Sequence, residues 1–368
     1  MKVFSMPADF KEETINEYEE LNHMNENMVI RETYGQVTEG YLHMSGRAKD
    51  TIFQIGMKDL EKYVEFSKKR GMEFNYTLNA ACFGNYEFSD KGIREIKELL
   101  HDLQTIGVNH LTLTTPSVME LVKDLAPDMK IKASAICEIN SVKKMNHYKD
   151  IGVERFVVEP DLTRNFAVLK NMVKLGKDML EIIINDKCLR DCPYKIFHYN
   201  QTAHDNDKRA ESYYFMNCGV EKSSNPQNYL NLNWIRPEDL HLYETMGIRY
   251  FKVEGREFME KGNIIKFLKA YIDESFDGNL LDLLHIFSPY DTAHQPYIDN
   301  KSLDGYVEGF YDNNVLCDQI CDTCGYCKKF MDRSFTMPVG MVPEAVAFYR
   351  SKNKFIERLS SEAPISVR

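Results

Sequence analysis

The chain has 368 residues, of which 43% are hydrophobic and 28% charged, and its formal net charge is -10. That length suits one large α/β domain or two ordinary ones. The acidic balance argues against DNA as a partner and leaves only a local patch for RNA. No stretch reaches the roughly 18 apolar residues that cross a bilayer. The opening MKVFSMPADFKEET lacks a basic-then-apolar signal pattern. A cytoplasmic protein with no membrane partner is therefore expected.

In chain order, short β-branched or aromatic runs alternate with longer helical ones. KVFSM (2–6) precedes KEETINEYEELNHM (11–24), while MVIRETYG (28–35) and GYLHMSG (40–46) precede GMKDLEKYVEFSKKRG (56–71). EFNYTLNA (73–80) leads to KGIREIKELLHDLQTIG (91–107), HLTLTT (110–115) to SVMELVKDLA (117–126), and MKIKASA (129–135) to INSVKKMNHYKDIG (139–152). RFVVEP (155–160) leads to TRNFAVLKNMVKLG (163–176), and LEIIIND (180–186) runs into the first paired cysteines. PEDLHLYETMG (237–247), IRYFKVEG (248–255) and NIIKFLKAYIDESF (263–276) add a final helix, strand and helix. Apolar residues recur at helical spacing, and several helical runs end in a glycine suited to a left-handed cap, as at Gly71, Gly107, Gly152 and Gly176.

Such alternation predicts a parallel sheet with right-handed crossovers. About eight strand–helix units fit an α/β fold, a (β/α)8 TIM-like barrel over 1–276. An irregular insertion, 187–232, follows strand 7, and a Cys-rich extension occupies 277–368. An open doubly wound sheet is the alternative, weakened by the lack of a GxGxxG or Walker loop after any strand. In a barrel, chemistry belongs at the C-terminal ends of the strands. Those ends carry Arg47, Asn79, Thr115, Glu159, Asn185, Glu254 and Arg256.

Nine cysteines are present. In a reducing compartment, clustered thiols favour metal over disulfides. CDQICDTCGYC (317–327) holds Cys317, Cys321, Cys324 and Cys327 in one dense run. Structural zinc sites usually use two separated pairs, and bacterial iron–sulfur runs are similarly dense. Iron–sulfur is therefore favoured here, with Zn2+ as the alternative. Cys188, Cys192 and Cys218 form an upstream set, with His241 or a tail cysteine as candidate fourth ligand. Cys82 and Cys137 stand alone and are expected to be buried small hydrophobes.

The stretches LEIIINDKCLRDCPYKIFHYN, MNCG and NWIRPEDLHLYETMGIRYFKVEGRE resemble the collagenase-like peptidase family, peptidase family U32. Glu254-Gly255-Arg256 is the most specific part, and SGR at 45–47 agrees with it. The likeness covers about residues 1–275 and leaves out the Cys-rich tail. Several members of this family bind a [4Fe-4S] cluster through four cysteines and take part in oxygen-independent hydroxylation of a small molecule or an RNA base. The resemblance implies Cys188, Cys192 and Cys218 as the first three cluster ligands. Where the pattern has its fourth cysteine, Asp239-Leu240 is followed here by His241. Seven candidate cysteines exceed one cluster's four, so two clusters are expected over one.

Arg256 and Arg236 are candidates for clamping a carboxylate. Glu254 and His198 are candidates for moving protons. Two other functions compete with this redox reading. One is a U32-type peptidase, for which neither GxSxG nor HExxH is present. The other is a non-catalytic, metal-stapled subunit paired with a homologous protein or an electron donor.

Overall fold

The structure is a computed structural model that describes residues 1–40, 44–47, 52–204, 213–255, 259, 263–284, 296–313, 317, 320–337 and 341–352. The first seven strands are β1 (Lys2–Pro7), β2 (Met28–Gly35), β3 (Glu73–Leu78), β4 (His110–Leu113), β5 (Lys130–Ala133), β6 (Val153–Val157) and β7 (Leu180–Ile183). After β8 (Asn185–Leu189) and β9 (Leu232–Trp234) comes β10 (Tyr250–Lys252). Strands β1 to β7 and β10 are all parallel and close into a barrel, with β10 between β1 and β7. The expected (β/α)8 barrel is therefore the fold. One expected strand differs: residues 44–46 of GYLHMSG form no strand, and 41–43 lie outside the described residues.

The helices follow the sequence logic. In the helix Asp90–Thr105, the Ser89 hydroxyl accepts from the Gly92 N–H at 3.0 Å, capping the first turn. Ile96, Leu99, Leu100 and Leu103 then face the strands and are buried. Beyond the helix end the chain reverses at Gly107, whose φ of +83° suits glycine. Among the described residues, no helix is long and apolar enough to cross a membrane.

The barrel interior carries a buried ionic layer. Lys132 Nζ on β5 lies 2.5 Å from Glu32 Oε1 on β2 and 2.7 Å from Glu181 Oε2 on β7. Ser5 and Asn75 donate to Glu32 at 2.6 and 3.1 Å, and Thr112 donates to Asn75 at 2.6 Å. Burial works to raise the Glu32 carboxyl, but Lys132 outweighs it and holds the group down at about 2.

The seventh unit departs from a plain βα repeat at Ile184. There the chain leaves the barrel as β8, which pairs antiparallel with β9. Helices α7 (Lys195–Ala203) and α8 (Tyr213–Ser224) lie between these two strands in sequence. The extension folds back onto this annex. Tyr306 packs its ring 5.9 Å from that of Trp234 and donates to the Leu230 carbonyl at 2.9 Å. A helix at Met341–Lys352 packs on α8, where a Cβ at Gly219 would meet the Tyr349 ring at 2.3 Å.

Candidate functional site

Cys188 is the last residue but one of β8, Cys192 follows in the next loop, and Cys218 lies on α8. Burial pushes the Cys188 thiol well up, and Asp186, Glu254 and Cys218 add to it. Burial also raises Cys192; the Tyr194 backbone opposes this and Cys218 reinforces it. Burial weakens the Lys222 ammonium, but Cys218 and Cys188 more than reverse that and raise it. Cys218 thus acts on both Cys188 and Cys192, and Cys218 and Cys188 both act on Lys222.

The tail cysteines form a second group. Burial raises Cys321, and Cys327, Cys317 and Cys324 each add to the rise. The short helix Cys321–Cys324 gives way at Gly325 (φ +65°) to Tyr326–Ser334, so the chain turns sharply between Cys324 and Cys327. Cys327 is buried with its Sγ 3.4 Å from the Tyr306 hydroxyl. The two groups adjoin, because Cys317 and Cys192 line one cavity of about 540 Å³. Among the described residues, no three His, Cys, Asp or Glu side chains converge as on a single metal ion.

The cavity's acidic wall is built at the end of β6. Lys195 Nζ lies 2.5 Å from both Glu159 Oε1 and Asp161 Oδ2. Asn233 donates to Asp161 at 2.6 Å and to Asp186 at 3.1 Å. Burial pushes the Glu159 carboxyl up to about 7, against the pull of Lys195. Arg164, Arg190 and Leu162 line the same space. Two lining residues, Glu138 and Asp191, have φ of 49° and 48°, a conformation L residues other than glycine seldom adopt and one that concentrates at functional sites.

The expected catalytic residues are placed unequally. Glu254 stands at the mouth, 3.7 Å from Arg47, with its backbone held both ways by the Asn185 amide at 2.8 and 3.0 Å. Burial lowers His198 on α7 to about 4, with Arg47 and Lys222 adding to the fall, so its ring is neutral at ordinary pH. Arg236 is not free to clamp a substrate. Its side chain is buried and makes a two-pronged pair with Asp239 at 2.7 and 2.8 Å. It also donates to the Asn300 carbonyl and to Asp304, tying the tail to the annex. His241 sits exposed on the helix Leu240–Thr245, its Nδ1 2.7 Å from the Glu238 carbonyl oxygen. Arg256 lies outside the described residues. Sequence reading missed Lys195, Asp161, Asp186 and Lys222, although Glu159-Pro160-Asp161 at a strand end and Lys195 just past the paired cysteines carried a signal.

Fold and site together define an α/β barrel with a thiol-rich, charge-paired pocket at its C-terminal mouth. Residues 22–181 match the family model of peptidase family U32. The chain is also 28% identical over 335 residues to a Methanocaldococcus jannaschii protein described as "Uncharacterized protease MJ1657", covering 90% of this chain and 97% of that one. Over residues 22–181 the chain is therefore similar to peptidase family U32. A solved structure titled "The Structure of the U32 Peptidase Mk0906" is similar at 14% identity and a TM-score of 0.48, over 69% of this chain and 93% of that one. An HpcH/HpaI aldolase from Desulfitobacterium hafniense is similar at 12% identity and a TM-score of 0.30, over 73% and 92%.

Proposed function

We propose that this chain is an iron–sulfur-dependent redox enzyme of the U32 type, acting on a small molecule or an RNA base by oxygen-independent hydroxylation or a related modification. The observation that carries the reading is that Cys218 acts on both Cys188 and Cys192, while Cys317 of the tail lines the same cavity as Cys192. A [4Fe-4S] cluster takes one thiolate on each iron, so its ligands ring it instead of meeting on one ion. The donor set suits that demand, with three soft thiols and the Lys222 ammonium to offset their charge. Cys317 is a better candidate than His241 for a further ligand, since His241 is exposed and bonded to its own helix.

When bound, such a cluster supplies one-electron transfer. The protein's own groups would do the rest. Lys195 fixes the Glu159 and Asp161 carboxylates at the rim of the cavity. Asn185 fixes the position of Glu254, and a neutral His198 accepts or donates a hydrogen bond without adding charge.

Purification without oxygen tests the proposal through visible absorption and assays of iron, sulfide and zinc. Iron near about four or about eight atoms per chain supports one or two clusters. In the two-cluster case, Cys321→Ala with Cys324→Ala removes about half the iron. A colourless, zinc-loaded chain that hydrolyses peptides would overturn the redox reading and leave a peptidase.

A further inference from the structure

Two arginines that line the cavity along with the Glu159–Lys195–Asp161 cluster pose a separate question. Arg164 is only 2% exposed, and one of its nitrogens donates to the Leu230 carbonyl at 2.5 Å. Its guanidinium lies 4.7 Å from the centre of the Trp234 ring and 4.9 Å from that of Tyr306. Its Nε and Nη2 are buried without a hydrogen-bond partner, and so are Nε and Nη2 of Arg190. Both side chains line the cavity. Two guanidiniums with four unmatched donors are costly to leave in a protein interior. A ligand carboxylate relieves that cost with paired, charge-assisted hydrogen bonds.

On the acidic side the mismatch runs the other way. Lys195 occupies Glu159 Oε1, but Glu159 Oε2 is buried with no partner. The cavity is thus walled by side chains that hold unused donors, on Arg164 and Arg190, and an unused acceptor, on Glu159. We infer that it binds a small organic acid whose carboxylate meets Arg164 and Arg190 and whose amino or hydroxyl group donates to Glu159. The shared chemistry is a carboxylate with a hydrogen-bond donor on a neighbouring carbon, as in an α-amino or α-hydroxy acid. A volume of about 540 Å³ gives room for a ligand of metabolite size. The inference stands on the cavity alone and does not need a metal.

The chain reports on this site through its own fluorescence, because Trp234 is the single tryptophan and Arg164 stacks on it. Trp234 emission is followed while the full chain is titrated with L-aspartate, L-malate, succinate or inorganic phosphate, and iron is assayed on the same sample. These three acids share a four-carbon skeleton and differ in carrying an ammonium, a hydroxyl or neither. Saturable binding of aspartate or malate, about tenfold tighter than succinate or phosphate, is expected. The tighter of the two shows whether an amino or a hydroxy acid is preferred. Arg190→Gln, at a residue whose Nε and Nη2 have no hydrogen-bond partner, weakens binding about ten- to a hundredfold. Glu159→Gln narrows the gap between malate and succinate. Binding by iron-free protein upholds the inference even if the iron–sulfur reading fails. Equal or tighter binding of phosphate, unchanged affinity in folded Arg190→Gln, or a response only when iron is present overturns it.

Discussion

Replacing Lys132 with methionine removes the ammonium that holds Glu32 and Glu181 together inside the barrel. Both carboxylates are then left without their shared cation in a site where Lys132 itself is 4% exposed and Glu181 2%. Glu32 is held from 4.5 to about 2, and each unit corresponds to about 1.4 kcal/mol, so its share of the coupling is about 3 kcal/mol. That agrees with the roughly 3–5 kcal/mol lost when one partner of a buried ion pair is removed. The pH dependence also inverts. In the native chain, the stability owed to the depressed Glu32 is present above 4.5 and is lost as pH falls towards about 2. In Lys132→Met the stranded carboxylates bind protons more tightly folded than unfolded, so stability rises as pH falls from about 7 to about 5. Urea midpoints at those two pH values, for both chains and for Lys132→Met combined with Glu32→Gln and Glu181→Gln, provide the measurement. The triple variant recovers much of the loss. A single-variant loss below about 1 kcal/mol near pH 7, or a midpoint that does not improve near pH 5, would refute the reasoning.

Arg236→Met leaves the buried Asp239 carboxylate alone and cuts the tie to Asn300 and Asp304; a loss of about 3–5 kcal/mol is expected, with faster proteolysis of the tail than of the barrel. Gly219→Ala puts a methyl into the Tyr349 ring and undocks the helix Met341–Lys352, which is read as early cleavage near that helix while the far-ultraviolet spectrum is little changed. Because burial raises Glu159 to about 7, its ionisation makes native stability fall as pH rises from about 4.5 through 7; Glu159→Gln removes that slope, and thermal melts across this range check it.

The barrel was legible because its strand–helix units each declare themselves locally, through period-2 runs, amphipathic helices and glycine stops such as Gly107. The cysteines were legible as residues because few other side chains cluster so densely. Their grouping was not legible, since it depends on the tail returning to the annex through Tyr306, Trp234 and Leu230. Arg236 shows the limit in a single residue. Its guanidinium reads as a substrate clamp because it matches a carboxylate, and only the fold reveals that Asp239, Asn300 and Asp304 already occupy it. Arg164 went unnoticed for the converse reason. It lies in a plain helical run, and its unmatched donors exist only once Trp234 and Tyr306 have closed over it.

The return of the tail also bears on folding order. Trp234, Arg164 and Arg236 are all buried, and Tyr306, Asn300 and Asp304 help to cover or bond them. A chain cut after residue 276 would bare an indole and two guanidiniums that the barrel alone gives few partners. The last quarter of the polypeptide therefore acts as a keystone: annex and extension should melt in a single cooperative step, and a growing chain cannot finish its pocket until that segment has been synthesised.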